Sequence, residues 1–331
     1  MENMDLSYNH FLILSLGLLD EVENGWDKHK QLRCLYAVSN NTTRHYTHIT
    51  IPKQNGGFRE LFIPDFLLKK IQQNILHNIL EKFPVSGYAT AYSKGSGVLK
   101  NAEPHVGQKQ ILKLDICNFF DSIPFYRVYG IVFSRVYFPP AVAALLTNLC
   151  CYNDCLPQGA PTSAAISNLI MKPFDNYMGK WCEERKIVYT RYCDDMTFSG
   201  DFDAVAVIRK VKNFLKVMGF ELNNKKIKVI NSSNRQSVTG IVVNEKAQVS
   251  REYRNKLRQE IYYCEKYGIS SHLLKLGNPR YLPADREQIQ CYLQSLLGRV
   301  NYVLQFNPQD KFFKEAKIKL KTMLKTGNTK K

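Results

Sequence analysis

The sequence is short of acidic residues, with 29 Asp and Glu against 46 Lys and Arg, and it has no long hydrophobic run. Its apolar stretch at Phe11–Leu19 is far too short to span a bilayer. Acidic residues flank this stretch, and the basic region and small-residue cleavage site of a signal peptide are missing. We therefore predict a docking helix or strand at this position, and no membrane partner.

Regularly spaced cysteines are also missing. The nine cysteines are an odd number, and the cluster Cys150, Cys151 and Cys155 contains no Cys-x2-Cys pair and comes without paired histidines. This argues against a zinc site and favours reduced thiols in a cytoplasmic protein. No internal repeat or low-complexity linker interrupts the 331 residues, which suffice for one large or two modest domains.

The positive charge that is present points to a polyanionic partner. The formal net charge is +17, and it comes with 19 Tyr and 18 Phe, which favours nucleic acid over a membrane surface. Residues 246–331 hold 18 Lys and Arg against 7 Asp and Glu, which is 18 − 7 = +11 of that total. Their helical patterning predicts a basic helical segment, for which a solvated charged face is the plain alternative to a nucleic-acid-binding surface.

The stretch that organises the chain is Ile187–Ser199. Two runs rich in β-branched and aromatic residues flank Cys193, Asp194 and Asp195, so we predict a strand over 187–192, a tight turn and a partner strand over 196–199. Two adjacent carboxylates at a hairpin tip repel each other and raise each other's pKa. A solvated acidic turn is the plain alternative to a site that binds a divalent cation.

A third carboxylate favours the cation site. Asp115 interrupts an apolar run, Ile111–Ile116, that has the pattern of a strand buried on both faces. A lone charge in such a strand is costly unless it is paired or ligates a metal. Beside the hairpin it would complete a set of hard oxygen ligands for two Mg²⁺ ions, the arrangement that supports two-metal phosphoryl transfer.

Four stretches carry a family resemblance. The sequence YCDD at 192–195 resembles the Tyr-X-Asp-Asp motif of reverse transcriptases, and Asp115 lies where their first catalytic aspartate does. The sequence LPQGAPTS at 156–163 resembles their nucleotide-binding turn. NAEPH at 101–105 and VTG at 238–240 resemble elements of bacterial retron reverse transcriptases.

This resemblance implies an α+β right-hand polymerase, with fingers and palm over residues 1–245 and a basic helical thumb over 246–331. It implies an RNA-directed DNA polymerase that uses dNTPs and two Mg²⁺ ions, with Asp115, Asp194 and Asp195 as catalytic metal ligands. It also implies a dedicated structured RNA as template, priming from an RNA 2′-hydroxyl, a branched RNA–DNA product and phage defence beside an effector protein.

Two alternatives remain at this point. Another bacterial reverse transcriptase, of the group II intron or abortive-infection type, is the nearer one. The chain ends too early for the added domains of an intron protein, and an abortive-infection enzyme is not expected to carry both retron elements. A catalytically silent RNA-binding scaffold is the other alternative, against which the three aspartates argue.

The residues Tyr46–Pro64 predict a β-hairpin with its turn at Asn55-Gly56-Gly57. Lys53 and Arg59 would project from this hairpin. By resemblance, Arg59 fits best the basic finger residue that grips the incoming triphosphate. The alternative is a pair of exposed charges.

Three further residues are predicted to bind the nucleotide by resemblance. Phe120, five residues after Asp115, matches the aromatic steric gate that excludes a 2′-hydroxyl, although a core phenylalanine paired with Phe119 is the alternative. Gln158 offers an amide to nucleotide or template. Lys226 would neutralise pyrophosphate, or is a surface lysine.

The residues expected by resemblance to bind the structured RNA are Asn101, His105, Val238, Thr239 and Gly240. A satisfied buried histidine beside a turn is the alternative for His105. From its composition, Val238–Val243 is predicted to form a strand, on which the second retron element would lie.

Overall fold

A computed structural model describes residues 2–20, 22, 25–53 and 56–326. In chain order the helices are α1 (Glu2–Ser15), α2 (Lys28–Asn40), α3 (Phe66–Asn78), α4 (Val98–Ala102), α5 (Phe125–Arg127), α6 (Pro140–Cys150), α7 (Ser163–Glu183), α8 (Ala204–Val217), α9 (Arg251–Tyr267), α10 (Ile269–Leu276), α11 (Arg286–Phe306) and α12 (Lys311–Thr326). The strands are β1 (Tyr46–Pro52), β2 (Phe58–Pro64), β3 (Gln110–Asp115), β4 (Val188–Tyr192), β5 (Asp195–Gly200), β6 (Lys228–Asn231), β7 (Ser237–Val238), β8 (Ile241–Val242) and β9 (Gln248–Val249). None of the helices within the described ranges has both the length and the apolar character that crossing a membrane requires.

The chain divides into two compact units. The first comprises Met1–Gly97 and Lys109–Val229, and the second comprises Val98–Gln108 and Ile230–Lys331. The short segment that carries the first retron element therefore belongs with the C-terminal part of the chain. The boundary between palm and thumb at residues 245/246 stays a prediction.

The first unit is built around an antiparallel sheet with the strand order β4-β5-β3-β6. The strands β4 and β5 form the predicted hairpin, and β5 also pairs with β3. Pairing extends one residue further than expected, because Asp195 is already the first residue of β5 and lies opposite both Tyr192 and Asp115. The turn is thus Cys193-Asp194 alone.

Burial of one face of this sheet sets the strand register. Leu112 and Leu114 of β3, and Met196 and Phe198 of β5, are almost fully buried in one apolar core. Full burial of each such side chain contributes roughly 1.5–3 kcal/mol. Since alternate residues of a strand point to opposite faces, a slip by one residue would move this set out of the core to the face that carries Lys113 and Thr197. The same register places Asp115 opposite Asp195.

Helices complete the first unit. Near the N-terminus of the chain, α1 and α2 belong to this unit. The apolar side chains of Ile13, Leu18 and Leu19 are buried in the same core as the sheet, which supports the docking interpretation of Phe11–Leu19.

The predicted hairpin at Tyr46–Pro64 is confirmed as β1 and β2, paired from Tyr46 opposite Pro64 to Pro52 opposite Phe58. Of its predicted turn, Asn55 lies outside the described residues. Gly56 and Gly57 both have positive φ values, a conformation that glycine adopts at no steric cost.

The second unit contains α4, a small antiparallel sheet of order β7-β8-β9, and helices α9 to α12. The prediction of a continuous strand over Val238–Val243 was wrong. The chain reverses at Thr239 and Gly240, with φ values of 45° and 85°, and Val238 pairs with Ile241. Two central residues with positive φ make the tight turn that matches the twist of a hairpin.

Candidate active site

Three aspartates meet at one end of the central sheet. Asp115 ends β3, Asp195 begins β5 directly opposite it, and Asp194 lies in the intervening β4–β5 turn. The backbone fixes the turn against β3, because the amide of Ile116 donates to the carbonyl of Asp194 at 3.2 Å. The sheet thereby brings together the carboxylates that the sequence separates by almost 80 residues.

Two side chains bind the carboxylate of Asp115, which is nearly buried. Lys226 Nζ lies 2.7 Å from Oδ1, and Asn223 Nδ2 donates to Oδ2 at 3.3 Å. The Asn223 backbone amide also donates to the Asp115 carbonyl at 2.8 Å. Lys226 is thus an ion-pair partner of Asp115, a contact that the sequence did not indicate. Asn223 was missed, although it lies only three residues before Lys226.

The carboxylates disfavour one another's ionisation. Burial raises the pKa of Asp194, and the Asp115 charge adds to this effect. Burial, followed by the charges of Asp194 and Asp115, raises the pKa of Asp195 to about 6. The ammonium of Lys226 opposes both effects, but it is 60% exposed and compensates only in part. A group of carboxylates in this state favours the binding of a cation.

The donor chemistry fits a hard divalent cation. Carboxylate oxygens are the ligands that Mg²⁺ prefers, and Mg²⁺ is commonly held by one or two carboxylates together with waters and substrate phosphates. Within the described ranges, no three His, Cys, Asp or Glu side chains are placed to hold an ion by themselves. The oxygen donors of Asp115, Asp194 and Asp195 are of the type that suits such an ion.

All the predicted catalytic and nucleotide-binding residues line one cleft of about 1120 Å³ in the first unit. They are Arg59, Asp115, Phe120, Gln158, Asp194, Asp195 and Lys226. Lys53 and Asp121 line it as well, as does Tyr92, which sequence reasoning missed and which lies 6.2 Å from the Tyr192 ring, centroid to centroid. Arg59 is exposed, and its guanidinium makes no ion pair within the part of the chain that the structure describes.

Phe119 and Phe120 have different environments. Phe119 is buried and packs on Phe220, with ring centroids 5.8 Å apart. Phe120 is half-buried and contributes to the cleft wall while its ring lies 5.4 Å from that of Phe119. The core side chain of the pair is therefore Phe119, and Phe120 faces the cleft.

The loop that contains Gln158 is joined to the β1–β2 hairpin. The carbonyl of Gln158 accepts a hydrogen bond of 2.8 Å from the Phe62 amide. Gly159 has a φ of 123°, and a Cβ there would lie 2.7 Å from the Phe62 carbonyl oxygen. Only glycine permits this close approach, which fixes one side of the cleft relative to the other.

The residues predicted to bind RNA lie together in the second unit. Asn101 Nδ2 donates to Thr239 Oγ1 at 3.3 Å, and α4 packs against β7 and β8. Asn101 and His105 are fully buried, and burial lowers the pKa of His105 to about 4. Val238 is buried as well, whereas Thr239 is half-buried and Gly240 is exposed. The structure thus joins the two retron elements; Glu103 and Pro104 of the first and Gly240 of the second are exposed to solvent.

Comparison with known proteins identifies the family. A family model for reverse transcriptase (RNA-dependent DNA polymerase) matches residues 51–253. The retron Mx65 reverse transcriptase of Myxococcus xanthus is 32% identical over 288 residues, which cover 80% of this chain and 62% of that protein.

Two Escherichia coli relatives are covered more fully. The retron Ec86 reverse transcriptase is 33% identical over 65% of this chain and 68% of its own length. The retron Ec83 reverse transcriptase is 32% identical over 66% of this chain and 75% of its own length. These matches confirm the resemblance and, with it, the α+β right-hand polymerase fold. The chain belongs to the reverse transcriptase family and, within it, to the retron reverse transcriptases.

Proposed function

We propose that this chain is an RNA-directed DNA polymerase that copies a dedicated structured RNA into single-stranded DNA. Synthesis starts from a 2′-hydroxyl of that RNA and leaves a branched RNA–DNA product. The main observation that supports this proposal is the placement of Asp115 opposite Asp195 and beside Asp194, in a cleft that is also lined by the exposed Arg59. The retron relatives favour this type over intron or abortive-infection enzymes.

In this proposal Asp115, Asp194 and Asp195 hold two Mg²⁺ ions. When bound, the ions neutralise phosphate charge and make the attacking hydroxyl more acidic. The β3–β5 register keeps two of the carboxylates opposite each other, so the protein holds the ligand oxygens in place before substrate arrives. This positioning is the main contribution that a polymerase makes to phosphoryl transfer.

The basic residues of the cleft act on the triphosphate. Arg59 has no competing ion-pair partner among the described residues and binds phosphate oxygens in a bidentate manner. Lys226 neutralises Asp115 at 2.7 Å before substrate binds. Its exposed ammonium would also be available to the pyrophosphate, and Asp115 would serve as a metal ligand.

Phe120 selects the sugar. Its half-buried ring forms part of the cleft wall and rests on the buried Phe119, so it cannot move aside easily. A 2′-hydroxyl against this ring collides with it, and deoxynucleotides are selected by exclusion. Gln158, fixed by its backbone bond to Phe62, offers its amide to the base pair that forms.

The second unit binds the structured RNA. Because Asn101 and His105 are buried, we infer that they contribute to RNA binding indirectly. They act by holding α4 and the Thr239–Gly240 turn, and this turn presents its exposed backbone to the RNA. The basic C-terminal helices bind the duplex through phosphate contacts. We further propose that the protein acts in the cytoplasm, with an effector protein, in defence against phage.

The test is DNA synthesis by the Asp194→Asn variant on RNA that copurifies with the protein. Removal of one metal-ligand charge is expected to abolish extension while RNA binding and the folded state persist, because metal ions supply several kcal/mol of transition-state stabilisation. Sequencing the copurified nucleic acid identifies the template. Normal extension by a folded variant would refute the assignment of the site.

A further inference from the structure

The turn that carries Asp194 has an unfavourable backbone conformation. Cys193 is a buried non-glycine residue with a φ of 60°. Such conformations cost about 1–3 kcal/mol and persist only where the surrounding structure holds them. The groups that hold this turn also set the positions of Asp194 and Asp195, because these residues follow Cys193 directly.

A fully buried arginine contacts the turn from beneath. Arg191, in β4, donates from Nη1 to the carbonyl of Cys193 at 2.7 Å. Its Nε and Nη2 donate to the two carboxylate oxygens of Asp175 at 2.8 and 2.6 Å. Both side chains have no exposed surface. Asp175 belongs to α7, so the fork ties the turn to the longest helix beneath the sheet.

Neighbouring groups make additional hydrogen bonds to Arg191 and Asp175. Asn168 Oδ1 accepts from Arg191 Nη2 at 3.2 Å, and the hydroxyl of Tyr189 donates to Asp175 Oδ1 at 2.8 Å. The backbone of Arg191 is fixed as well, since its amide donates to the Tyr88 carbonyl and its carbonyl accepts from Thr90. The guanidinium is therefore held in one orientation.

Stability alone does not explain a buried ion pair. Desolvation of the two charges offsets most of their attraction, and apolar residues of similar volume are often as stable or more stable. An apolar pair would lack a hydrogen-bond donor to the Cys193 carbonyl. Sequence reasoning missed this pair, and its signal was a charged residue at an inward position of an otherwise apolar strand.

We propose that Arg191, oriented by Asp175, is a positioning residue that fixes the Cys193 carbonyl and thereby the carboxylates of Asp194 and Asp195. This inference rests on the proposed function, which assigns those aspartates to metal binding. Residues that orient metal ligands from behind commonly change metal affinity or activity 10- to 100-fold when they are altered. Misplacement of reacting groups by about 1 Å has a similar cost.

The test variant replaces both charges, as Arg191→Met with Asp175→Leu. We expect a folded protein that binds RNA and extends DNA with a kcat about 10- to 100-fold lower, with little change in the KM for dNTP. Two readouts are independent of activity. The thermal stabilisation on adding Mn²⁺ should shrink, and amide hydrogens of the peptide 190–197 should exchange faster than in the wild type.

Tyr189→Phe is the matched control. It removes one hydrogen bond to the same buried carboxylate but leaves the Arg191–Cys193 bond intact. Its kcat, Mn²⁺ response and exchange rate should match those of the wild type. If it loses activity as the double variant does, the effect follows general packing and the proposal fails.

A folded double variant with wild-type kcat and wild-type exchange would also overturn the proposal. If the double variant does not fold, Arg191→Lys is used as the test variant instead. The ammonium of lysine cannot make both hydrogen bonds to Asp175 and the bond to the Cys193 carbonyl at the same time. This variant should fold with a kcat lowered about 10-fold, and a wild-type kcat would refute the role. Asp194→Asn is measured in parallel, because activity of that variant would overturn the proposed metal site itself. The Arg191 variants test only the positioning role.

Discussion

Asp195→Asn is expected to stabilise the metal-free protein at neutral pH. Burial and the charges of Asp194 and Asp115 raise the Asp195 pKa from 3.8 to about 6. A carboxyl with a higher pKa in the folded state than in the unfolded state binds its proton more tightly when folded. Stability therefore falls as the pH rises from about 4 to about 6, and the full loss remains at neutral pH.

The size of this loss follows from the shift. About two pKa units correspond to roughly 3 kcal/mol at 1.36 kcal/mol per unit. Residue Asp195 keeps substantial contact with solvent in the open cleft, however, so its carboxylate is only partly desolvated and screening reduces the effect to about 1 kcal/mol. The neutral amide removes the repulsion at similar volume, and the Tm at pH 7.5 should rise by about 2 °C.

Thermal unfolding with EDTA at pH 7.5 and pH 4.5 measures this effect. The gain of Asp195→Asn should be clear at pH 7.5 and much smaller at pH 4.5, where the wild-type carboxyl is largely protonated. Asp201→Asn, directly after the end of β5, is the control, because it removes an exposed carboxylate bound to Lys109 and should be neutral or slightly destabilising. A lower Tm for Asp195→Asn at pH 7.5, or an equal gain at both pH values, would refute the reasoning.

Three further outcomes are expected. Phe120→Val should admit ribonucleotides by removing a clash, and unchanged discrimination between dNTPs and rNTPs in an extension assay would return Phe120 to a packing role. Gly159→Ala should destabilise by about 1–3 kcal/mol in urea unfolding, because its φ is 123° and a backbone oxygen lies 2.7 Å from the new Cβ, whereas Gly130→Ala, with open space, should not. Asn101→Ala, which removes the bond to Thr239, should lower branched-product formation on the native RNA at two salt concentrations but spare extension of a generic primer–template. Equal loss in both assays would assign Asn101 to the fold alone.

Local patterns of the sequence were sufficient for the central hairpin. Apolar alternation and β-branched residues in Ile187–Ser199 act over a few residues, and the observed β4 and β5 follow them closely. Asp115 could be placed beside this hairpin because a charge in an apolar strand is costly unless it is paired or ligates a metal. The predicted roles of these aspartates in catalysis stay predictions.

Long-range contacts were the part that the sequence did not indicate. Val238–Val243 has the composition of a strand, but the chain reverses at Thr239, where the two short strands pack against α4 and Thr239 meets Asn101, 138 residues away along the chain. Nothing in the local pattern distinguishes a six-residue strand from two short strands with a Thr-Gly turn. The ion pair between Lys226 and Asp115 was missed for the same reason, since it joins residues whose separation along the chain is large.

Binding of nucleic acid and catalysis depend on different parts of the charge distribution. A net charge of +17 attracts a polyanion at long range, yet the cleft itself presents Asp115, Asp194 and Asp195, which repel a triphosphate at short range. The long-range attraction is screened beyond about 8 Å at physiological ionic strength, whereas partly buried charges are screened much less. Added salt should therefore weaken RNA capture steeply while it changes the cation requirement of the cleft little. Since Lys226 neutralises only part of the carboxylate charge, we expect nucleotide binding in this cleft to depend on a divalent cation.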